Sequence, residues 1–476
     1  MLFCSIEFII YFLPLFLIAY GLTPARYRNL TLIAGSLLFY TLGEPRYLPL
    51  LVGSAVINYF TARYLQPLEA ESRKYAGKRK RLLYLALTGN VGMLVLFKTA
   101  PESFGLPAGI SFYTFQAVSY LLDVYRGDLE AEKSFIKVLT YITMFPQLLS
   151  GPITRYDQIA DRLSDRRFHA GTIQEGLKLF SLGLAAKVLL ADRAAILWNE
   201  VQTTGVESIT TPLAWIAALG YSMQIYFDFA GYSLMASGVA RMLGFKLPEN
   251  FREPYMAGSV REFYRRWHIT LGRWFRDYVY IPLGGNRKGY ARTVLNLLVV
   301  WILTAAWHGS TLNFMLWGLF LWFFIVLERT VEKAAKALRK RRTAGKAAEA
   351  LQKRKTAGKA KQRHFGIFSH LYLWAVIPVT WMCFANEDFS QLKIYLGRMF
   401  GLLPGVNVNA ADWKKAISNY GFLLLCCFVF CTPIVRRWYG KWKNSVIGYL
   451  VLILLFWLSV WRVIVAGENT FMYLRF

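Results

Sequence analysis

The sequence predicts an all-α membrane protein, a polytopic bundle of roughly 11 to 13 transmembrane or re-entrant helices. Three observations predict it: 55% of the 476 residues are hydrophobic, only 18% are charged, and apolar stretches recur along the whole chain. The mean hydropathy of +0.33 is unlike that of an ordinary water-soluble domain. Aromatic residues make up 16%, as in chains that cross two membrane interfaces repeatedly. We therefore treat residues 1–476 as one membrane domain.

The individual elements are predicted from apolar stretches that are long enough, or nearly so, to cross about 30 Å of hydrocarbon. Several of them are shorter than about 18 residues, and short spans are typical of tilted or re-entrant helices that line a cavity. In chain order the stretches are 8–22, 30–42, 47–64, 82–97, 110–125, 135–149, 177–198, 213–229, 293–307, 312–327, 366–384, 420–435 and 446–465.

Positive charge is concentrated between these stretches, in a chain whose net charge is +28. The segment 333–363 alone holds 13 Lys or Arg and a single acid, Glu349. Such clusters are typical of cytoplasmic loops, and no nucleic-acid-binding motif accompanies them. We predict that 333–363 is a basic cytoplasmic loop inserted in the membrane domain, which serves as a linker or contacts anionic lipid. Arginines that follow 135–149 also predict a re-entrant element near 151–154.

Ionisable residues inside apolar runs are the first candidates for chemistry, because a membrane makes them costly. His308 is such a residue, and it lies about 22 Å along a helix from Thr293 at a rise of about 1.5 Å per residue. An imidazole with a pKa near 6.5 suits a general base, although a buried structural histidine is the alternative. The cysteines and histidines show no metal-binding spacing, so we expect no metal.

A second candidate region is the segment 259–289, in which arginines alternate with aromatic residues. This pattern predicts one helix in the membrane interface with His268 at its middle. Its arginines would meet phosphates, either of lipid or of a cofactor such as coenzyme A. The arginines that we assign to that role are Arg265, Arg266, Arg273 and Arg276.

Asp228 is the third candidate, since it lies between aromatic residues in a stretch that could otherwise span. An intramembrane carboxylate needs a partner, and we expect an arginine or histidine from the motifs above. A structural ion pair and a direct role are both open for this residue.

These blocks together resemble the membrane-bound O-acyltransferase family, in particular its bacterial alginate O-acetylation branch. The resemblance covers nearly the whole chain and is carried by ordered motifs. They are GISFYTFQAVSYLLDVYRG (109–127), FPQLLSGPITRY (145–156), FDFAGYS (227–233), NFREPY (250–255), FYRRWHITLGRWFRDYVYIPLGGNR (263–287) and WHG (307–309).

The resemblance implies a bundle around a tunnel, with His308, next to Trp307, as the essential histidine and His268 as the second catalytic histidine. It implies acyl transfer, most simply of acetyl from acetyl-CoA, with no permanently bound cofactor. The acceptor would be an envelope polysaccharide such as alginate or peptidoglycan, reached through an extracytoplasmic O-acetyltransferase partner. The implied location is the bacterial inner membrane, among membrane lipids.

Other functions stay open on the sequence alone. FDFAGYSLMA (227–236) is closer to the branch that transfers D-alanyl groups to teichoic acid. Broken helices and basic residues would also suit a transporter for an anionic solute, and a non-catalytic scaffold is a further alternative. Whether His308 acts as a general base or as an acyl-accepting nucleophile is likewise open.

Overall fold

The computed structural model of the chain describes residues 1–66, 76–350 and 366–466, and it describes side chains in these ranges except at 339–350. Within them the protein is helical and has no β-strand, which confirms the all-α prediction. The first helices are α1 (Leu13–Leu22), α2 (Arg28–Thr41), α3 (Leu48–Leu65), α4 (Ala76–Thr99), α5 (Pro101–Phe104), α6 (Ile110–Arg126), α7 (Phe135–Thr143), α8 (Phe145–Leu148), α9 (Ala160–Ser164), α10 (Ala170–Ala185) and α11 (Asp192–Thr204).

The second half of the chain contains the longest helices. They are α12 (Thr211–Met242), α13 (Val260–Arg266), α14 (Ile269–Phe275), α15 (Tyr290–His308), α16 (Leu312–Ala350), α17 (Ile367–Ala385), α18 (Phe389–Met399), α19 (Asp412–Phe430), α20 (Pro433–Trp442) and α21 (Val446–Ala466). Helix α16 continues through the first part of the segment 333–363, which we predict as an inserted basic loop. The remainder of that segment, 351–363, lies outside the described residues.

Five helices of the described ranges are long and apolar enough to cross a membrane, namely α4, α15, α16 up to Leu338, α17 and α21. The pair α19 and α20, bent by 72°, makes six if it counts as one span. Other apolar helices, such as α6, fall short of the roughly 20 residues that a perpendicular span needs. The larger number of 11 to 13 transmembrane or re-entrant helices therefore stays a prediction.

Helix α12 runs through the middle of the bundle and packs against α10, α11, α17 and α19. It begins at a threonine cap, where Thr210 Oγ1 accepts a hydrogen bond from the Leu213 amide at 3.2 Å, and Pro212 lies in its first turn. Glycines allow α10 and α12 to touch: a Cβ on Gly183 would lie 2.5 Å from the Gly231 carbonyl oxygen. This close backbone contact is typical of helices packed in membranes.

The chain between Glu132 and Tyr156 enters the bundle and returns to its starting point. Helices α7 and α8 run inward, and the segment after them leads back until the Tyr156 hydroxyl donates to Glu132 Oε2 at 2.8 Å. On the return path, the Ile153 amide donates to Thr270 Oγ1 at 3.1 Å. We call this closed excursion of the chain, residues 132–156, the re-entrant element, and its place in a membrane stays a prediction.

Candidate active site

A cavity of about 280 Å³ lies between the short helices α13 and α14 and the hairpin formed by α15 and α16. His268 and His308 both line it, so the fold brings the two predicted histidines to one space. Its walls are largely aromatic, and of the described residues that line it only the arginines Arg276 and Arg329 carry a full charge. A largely apolar cleft with few polar groups is typical of a small-molecule site.

His308 is the last residue of α15, and it is buried with 5% of its surface exposed. Its ring centroid lies 5.0 Å from those of Trp317 on α16 and Phe384 on α17, both in edge-on contact. The two helices of the hairpin can approach closely because Gly318 has no side chain. A Cβ at this position would lie only 2.8 Å from Ala305 Cβ. Aromatic packing from three helices therefore fixes the position of the imidazole.

Trp307 contacts both histidines, since its ring centroid lies 4.5 Å from that of His308 and 6.3 Å from that of His268. Its buried indole Nε1 donates to no described residue. Lys98, from the end of α4, donates a hydrogen bond to the Trp307 carbonyl and lies 5.3 Å from its ring centroid. Sequence reasoning missed Lys98, although it directly follows the apolar stretch 82–97.

His268 does not lie in the middle of a helix, so the prediction of one interfacial helix over 259–289 is wrong. Helix α13 ends at Arg266, α14 begins at Ile269, and His268 between them has a left-handed backbone with φ 42°. The chain breaks there because the Ile269 amide donates to the Asn250 carbonyl at 2.9 Å instead of continuing the helix. Burial lowers the pKa of the His268 imidazole, so the ring is neutral at neutral pH.

The four predicted arginines have different environments. Arg276 lines the cavity, and its Nε also contacts Asp277 Oδ1 at 2.7 Å. The other three do not belong to the cavity lining: Arg265 and Arg273 are exposed, and Arg266 pairs with Glu262 at 2.5 Å. The cavity instead has Arg329 of α16, which sequence reasoning missed because it follows an apolar stretch as an ordinary boundary charge would.

Asp228 has a different partner from the one we predict. Lys187 Nζ lies 2.7 Å from Asp228 Oδ1 and 2.6 Å from Asp192 Oδ1, so the partner is a lysine and not an arginine or histidine of the other motifs. Lys187 comes from a π-helical turn, Ala186–Ala191, that joins α10 to α11. Neither Lys187 nor Asp228 lines the cavity. In the described part of the chain, no group of three His, Cys, Asp or Glu side chains is placed to hold a metal.

Residues 129–348 match the family described as MBOAT, membrane-bound O-acyltransferase family. The matched region contains both histidines, the arginines of the cavity and the Lys187–Asp228 pair.

The chain is also similar to curated proteins over most of its length. It is 37% identical over 439 residues to the probable alginate O-acetylase AlgI of Pseudomonas syringae pv. tomato, which covers 88% of this chain and 77% of that protein. It is 34% identical to the peptidoglycan O-acetyltransferase of Helicobacter pylori, over 67% of this chain and 68% of the relative. The teichoic acid D-alanyltransferase of Bacillus subtilis is 29% identical over 44% of this chain and 56% of the relative.

Proposed function

Since this chain belongs to the membrane-bound O-acyltransferase family, we propose that it moves acetyl groups across the bacterial inner membrane for O-acetylation of a cell-envelope polysaccharide. The protein is a multi-pass membrane acyltransferase. The acetyl donor that we propose is acetyl-CoA on the cytoplasmic side. The observation that carries the proposal is that one cavity with apolar walls is lined by both His268 and His308 and by two arginines.

The arginines of the cavity suit a phosphorylated thioester donor. Buried Nε of Arg329 and the buried Tyr280 hydroxyl make no hydrogen bond to any described residue, and both residues line the cavity together with Arg276. Guanidinium groups bind phosphates through paired hydrogen bonds. We propose that Arg276 and Arg329 hold the anionic part of the donor while the acetyl group reaches the histidines through a tunnel. Roles for Arg265, Arg266 and Arg273 stay predictions.

The chemistry of the histidines can follow two routes. In the direct route His308 removes the proton of an acceptor hydroxyl, the oxygen forms a bond to the acetyl carbonyl carbon, the carbon–sulfur bond breaks, and the thiolate takes up the proton. In the two-step route the His308 nitrogen attacks the acetyl carbonyl carbon, the carbon–sulfur bond breaks and the thiolate leaves. The acceptor hydroxyl oxygen then attacks the same carbon, the nitrogen–carbon bond breaks, and the hydroxyl proton ends on the thiolate. Apolar walls keep water from hydrolysing the thioester in either route. His268 assists as a second proton acceptor.

Acetyl is favoured over D-alanyl by the charge of the cavity. A D-alanyl group carries an ammonium, and burying it without a carboxylate partner is costly. The described residues lining the cavity include two arginines and no aspartate or glutamate. A neutral acetyl group meets no such cost. The relatives named as O-acetyl-transferring enzymes are also more similar to this chain than the D-alanyl-transferring one. Family membership likewise sets aside the anionic-solute transporter.

We propose alginate, peptidoglycan or a similar polymer as the polysaccharide, because one relative is named for alginate and another for peptidoglycan. We propose that an extracytoplasmic O-acetyltransferase partner completes delivery to the polymer. Such a division of labour keeps the bulky donor and the bulky acceptor on opposite sides of the membrane, while only the acetyl group passes between them.

The test is to measure ester-linked acetate on purified envelope polysaccharides from wild type, a deletion strain and His308→Ala at matched protein level. Acetate on one polymer should disappear in the deletion and in His308→Ala. His169→Asn is the matched control, since His169 is an exposed helix cap and asparagine preserves the cap. Wild-type acetate in His308→Ala would overturn the catalytic role of this histidine, and unchanged acetate in the deletion would overturn the proposed function.

A further inference from the structure

The segment that precedes α13 lies antiparallel to the turn that carries His268. The Arg252 amide donates to the Arg266 carbonyl and the Ile269 amide donates to the Asn250 carbonyl, each at 2.9 Å. These two bonds bracket Trp267 and His268, where the chain leaves the helical conformation. Asn250 is therefore held directly beside His268, and it is buried with 3% of its surface exposed.

The Asn250 side chain contacts this turn through its oxygen alone. Oδ1 accepts from the Thr270 amide at 3.3 Å and from Thr270 Oγ1 at 2.9 Å, and it lies 3.0 Å from His268 Nδ1. A backbone amide can only donate, so the atom that faces it must be the oxygen and the orientation of the Asn250 amide is fixed. Asn250 Nδ2 donates to no described residue.

A neutral imidazole carries one hydrogen, on one of its two nitrogens. Because Asn250 Oδ1 is an acceptor, the His268 nitrogen that faces it must be the donor. We propose that Asn250 is a positioning residue that holds His268 with its hydrogen on Nδ1, so that Nε2 carries the lone pair that accepts a proton during acyl transfer. The proposal rests on the proposed function, in which His268 takes part in acyl transfer.

Two features of the turn make such a support necessary. The left-handed backbone of His268, with φ 42°, is uncommon for a residue with a side chain and persists only where its surroundings hold it. Without the contact to Asn250, the imidazole could also rotate or change tautomer, as any histidine can. Asn250 restrains both, since its carbonyl holds the following amide and its side chain holds Nδ1. Thr270 extends the support, because its Oγ1 accepts from the Ile153 amide of the re-entrant element.

The kinetic test compares Asn250→Leu, which removes the acceptor at similar volume, with Asn250→Asp, which keeps an oxygen acceptor. Both are made in wild type and in His268→Ala, and acyl transfer from acetyl-CoA is measured with purified protein in proteoliposomes. We expect Asn250→Leu to lower kcat by about 10- to 100-fold with little change in KM, as loss of an orienting hydrogen bond does. The kcat of Asn250→Asp should stay within a few-fold of the wild-type value. In the His268→Ala background, Asn250→Leu should lower kcat little further.

A buried asparagine elsewhere provides the control for general damage. Asn58→Leu removes a buried amide that bonds to Asn90 between α3 and α4. In the double variant, the fold reduction of kcat by Asn58→Leu should multiply with the fold reduction by His268→Ala. If the effect of Asn250→Leu also multiplied fully with that of His268→Ala, Asn250 would be a structural residue and the inference would be wrong.

A spectroscopic measurement separates this inference from the proposed function. In protein labelled with ¹⁵N-histidine and reconstituted in lipid, the His268 signal is assigned by its loss in His268→Ala. We expect the Nδ1-protonated form in wild type and a mixture of forms in Asn250→Leu. An Nε2-protonated His268 in wild type would overturn the role of Asn250, whatever the enzyme transfers. A fully active His268→Ala would instead overturn the role of His268 in the proposed function.

Discussion

Lys187 and Asp228 form a buried ion pair in which Nζ and Oδ1 are 2.7 Å apart, and each residue has 3% of its surface exposed. Asp192 is a second carboxylate on the same lysine, at 2.6 Å. The pair joins the π-helical turn after α10 to the centre of α12. Its members are outside the cavity lining, so the structural interpretation of Asp228 is the one that the geometry favours.

The ion pair predicts that loss of Lys187 lowers the stability of the fold more than loss of Asp228. Lys187→Met leaves two carboxylates without their cation, and we expect a loss of about 3–5 kcal/mol, typical of a broken buried pair. Asp228→Asn leaves Lys187 its bond to Asp192 and should cost less. The double variant Lys187→Met/Asp228→Leu should recover part of the loss of Lys187→Met. Thermal unfolding in detergent measures all three, and a more harmful Asp228→Asn would contradict this account.

Contact between α10 and α12 predicts that a single methyl group disturbs the bundle. A Cβ on Gly183 would lie 2.5 Å from the Gly231 carbonyl oxygen, and a Cβ on Gly231 would lie 2.7 Å from that of Gly183. Gly183→Ala and Gly231→Ala should each lower stability by about 1–3 kcal/mol, as overpacking does. Gly89→Ala in α4 is the control, because its Cβ would meet nothing within 4 Å. Equal unfolding temperatures for Gly89→Ala and Gly183→Ala would refute the prediction.

The cavity predicts that Arg329 and Arg276, which line it, contribute to donor binding and that Arg265, which does not line it, contributes little. Arg329→Gln and Arg276→Gln should raise KM for acetyl-CoA about tenfold, which corresponds to about 1.4 kcal/mol for a lost contact to a charged group. Arg265→Gln, at an exposed position outside the cavity lining, should leave KM near the wild-type value. Initial rates against acetyl-CoA concentration in proteoliposomes provide the comparison. A larger KM effect for Arg265→Gln would place the donor elsewhere.

The closure of the re-entrant element predicts a pH dependence of stability. Partial burial alone would raise the pKa of Glu132. Hydrogen bonds from the Ser134 amide and the Tyr156 hydroxyl, together with Lys137 at 3.6 Å, lower it by more, so the pKa of Glu132 lies below its usual value. A carboxyl whose pKa is lower in the folded state stabilises above its unfolded pKa of about 4.3, and this contribution is lost as the pH falls through the folded value.

Glu132→Gln should therefore lower the unfolding temperature at pH 7, and the difference from wild type should shrink below about pH 4. Glu130→Gln, at an exposed neighbouring position, is the control. Unfolding curves from pH 7 to pH 3.5 test the prediction. A difference between Glu132→Gln and wild type that stayed constant over this range would mean that the ionised carboxylate is not what closes the element.

The sequence alone was sufficient to find ionisable residues that lie within or between apolar stretches. Asp228 interrupts the apolar stretch 213–229, and His308 lies in the short gap between the stretches 293–307 and 312–327. The cost of a polar group in such a place is a signal that a single sequence contains. Lys187 is one of four charged residues in 177–198, with Lys178, Asp192 and Arg193, so the sequence alone does not single it out as the partner of Asp228. Arg329 and Lys98 gave no such signal, because each lies at the edge of an apolar stretch where boundary charges are common.

The break at His268 could not be predicted for a different reason. WHITLGRWF has no proline near the break, and its only glycine, Gly272, lies inside α14. What ends α13 is a backbone partner, the segment around Asn250, and hydrogen bonds between distant segments leave no periodicity in either one. Tertiary pairing of this kind overrides local helix preference.

The re-entrant element also has a consequence for how the enzyme is made. Its contacts to Thr270 and Asp277 join residues 117 and 122 positions apart, so these partners have not yet been synthesised when the segment leaves the ribosome. Neither α7 nor α8, with 9 and 4 residues, is long enough to be inserted as a span. Packing of α7 against α2 and α3, and of α8 against α2, can form as soon as the segment is made. Its bonds to Thr270 and Asp277 must wait until those residues have been added, so assembly of the proposed catalytic centre is completed late in biogenesis.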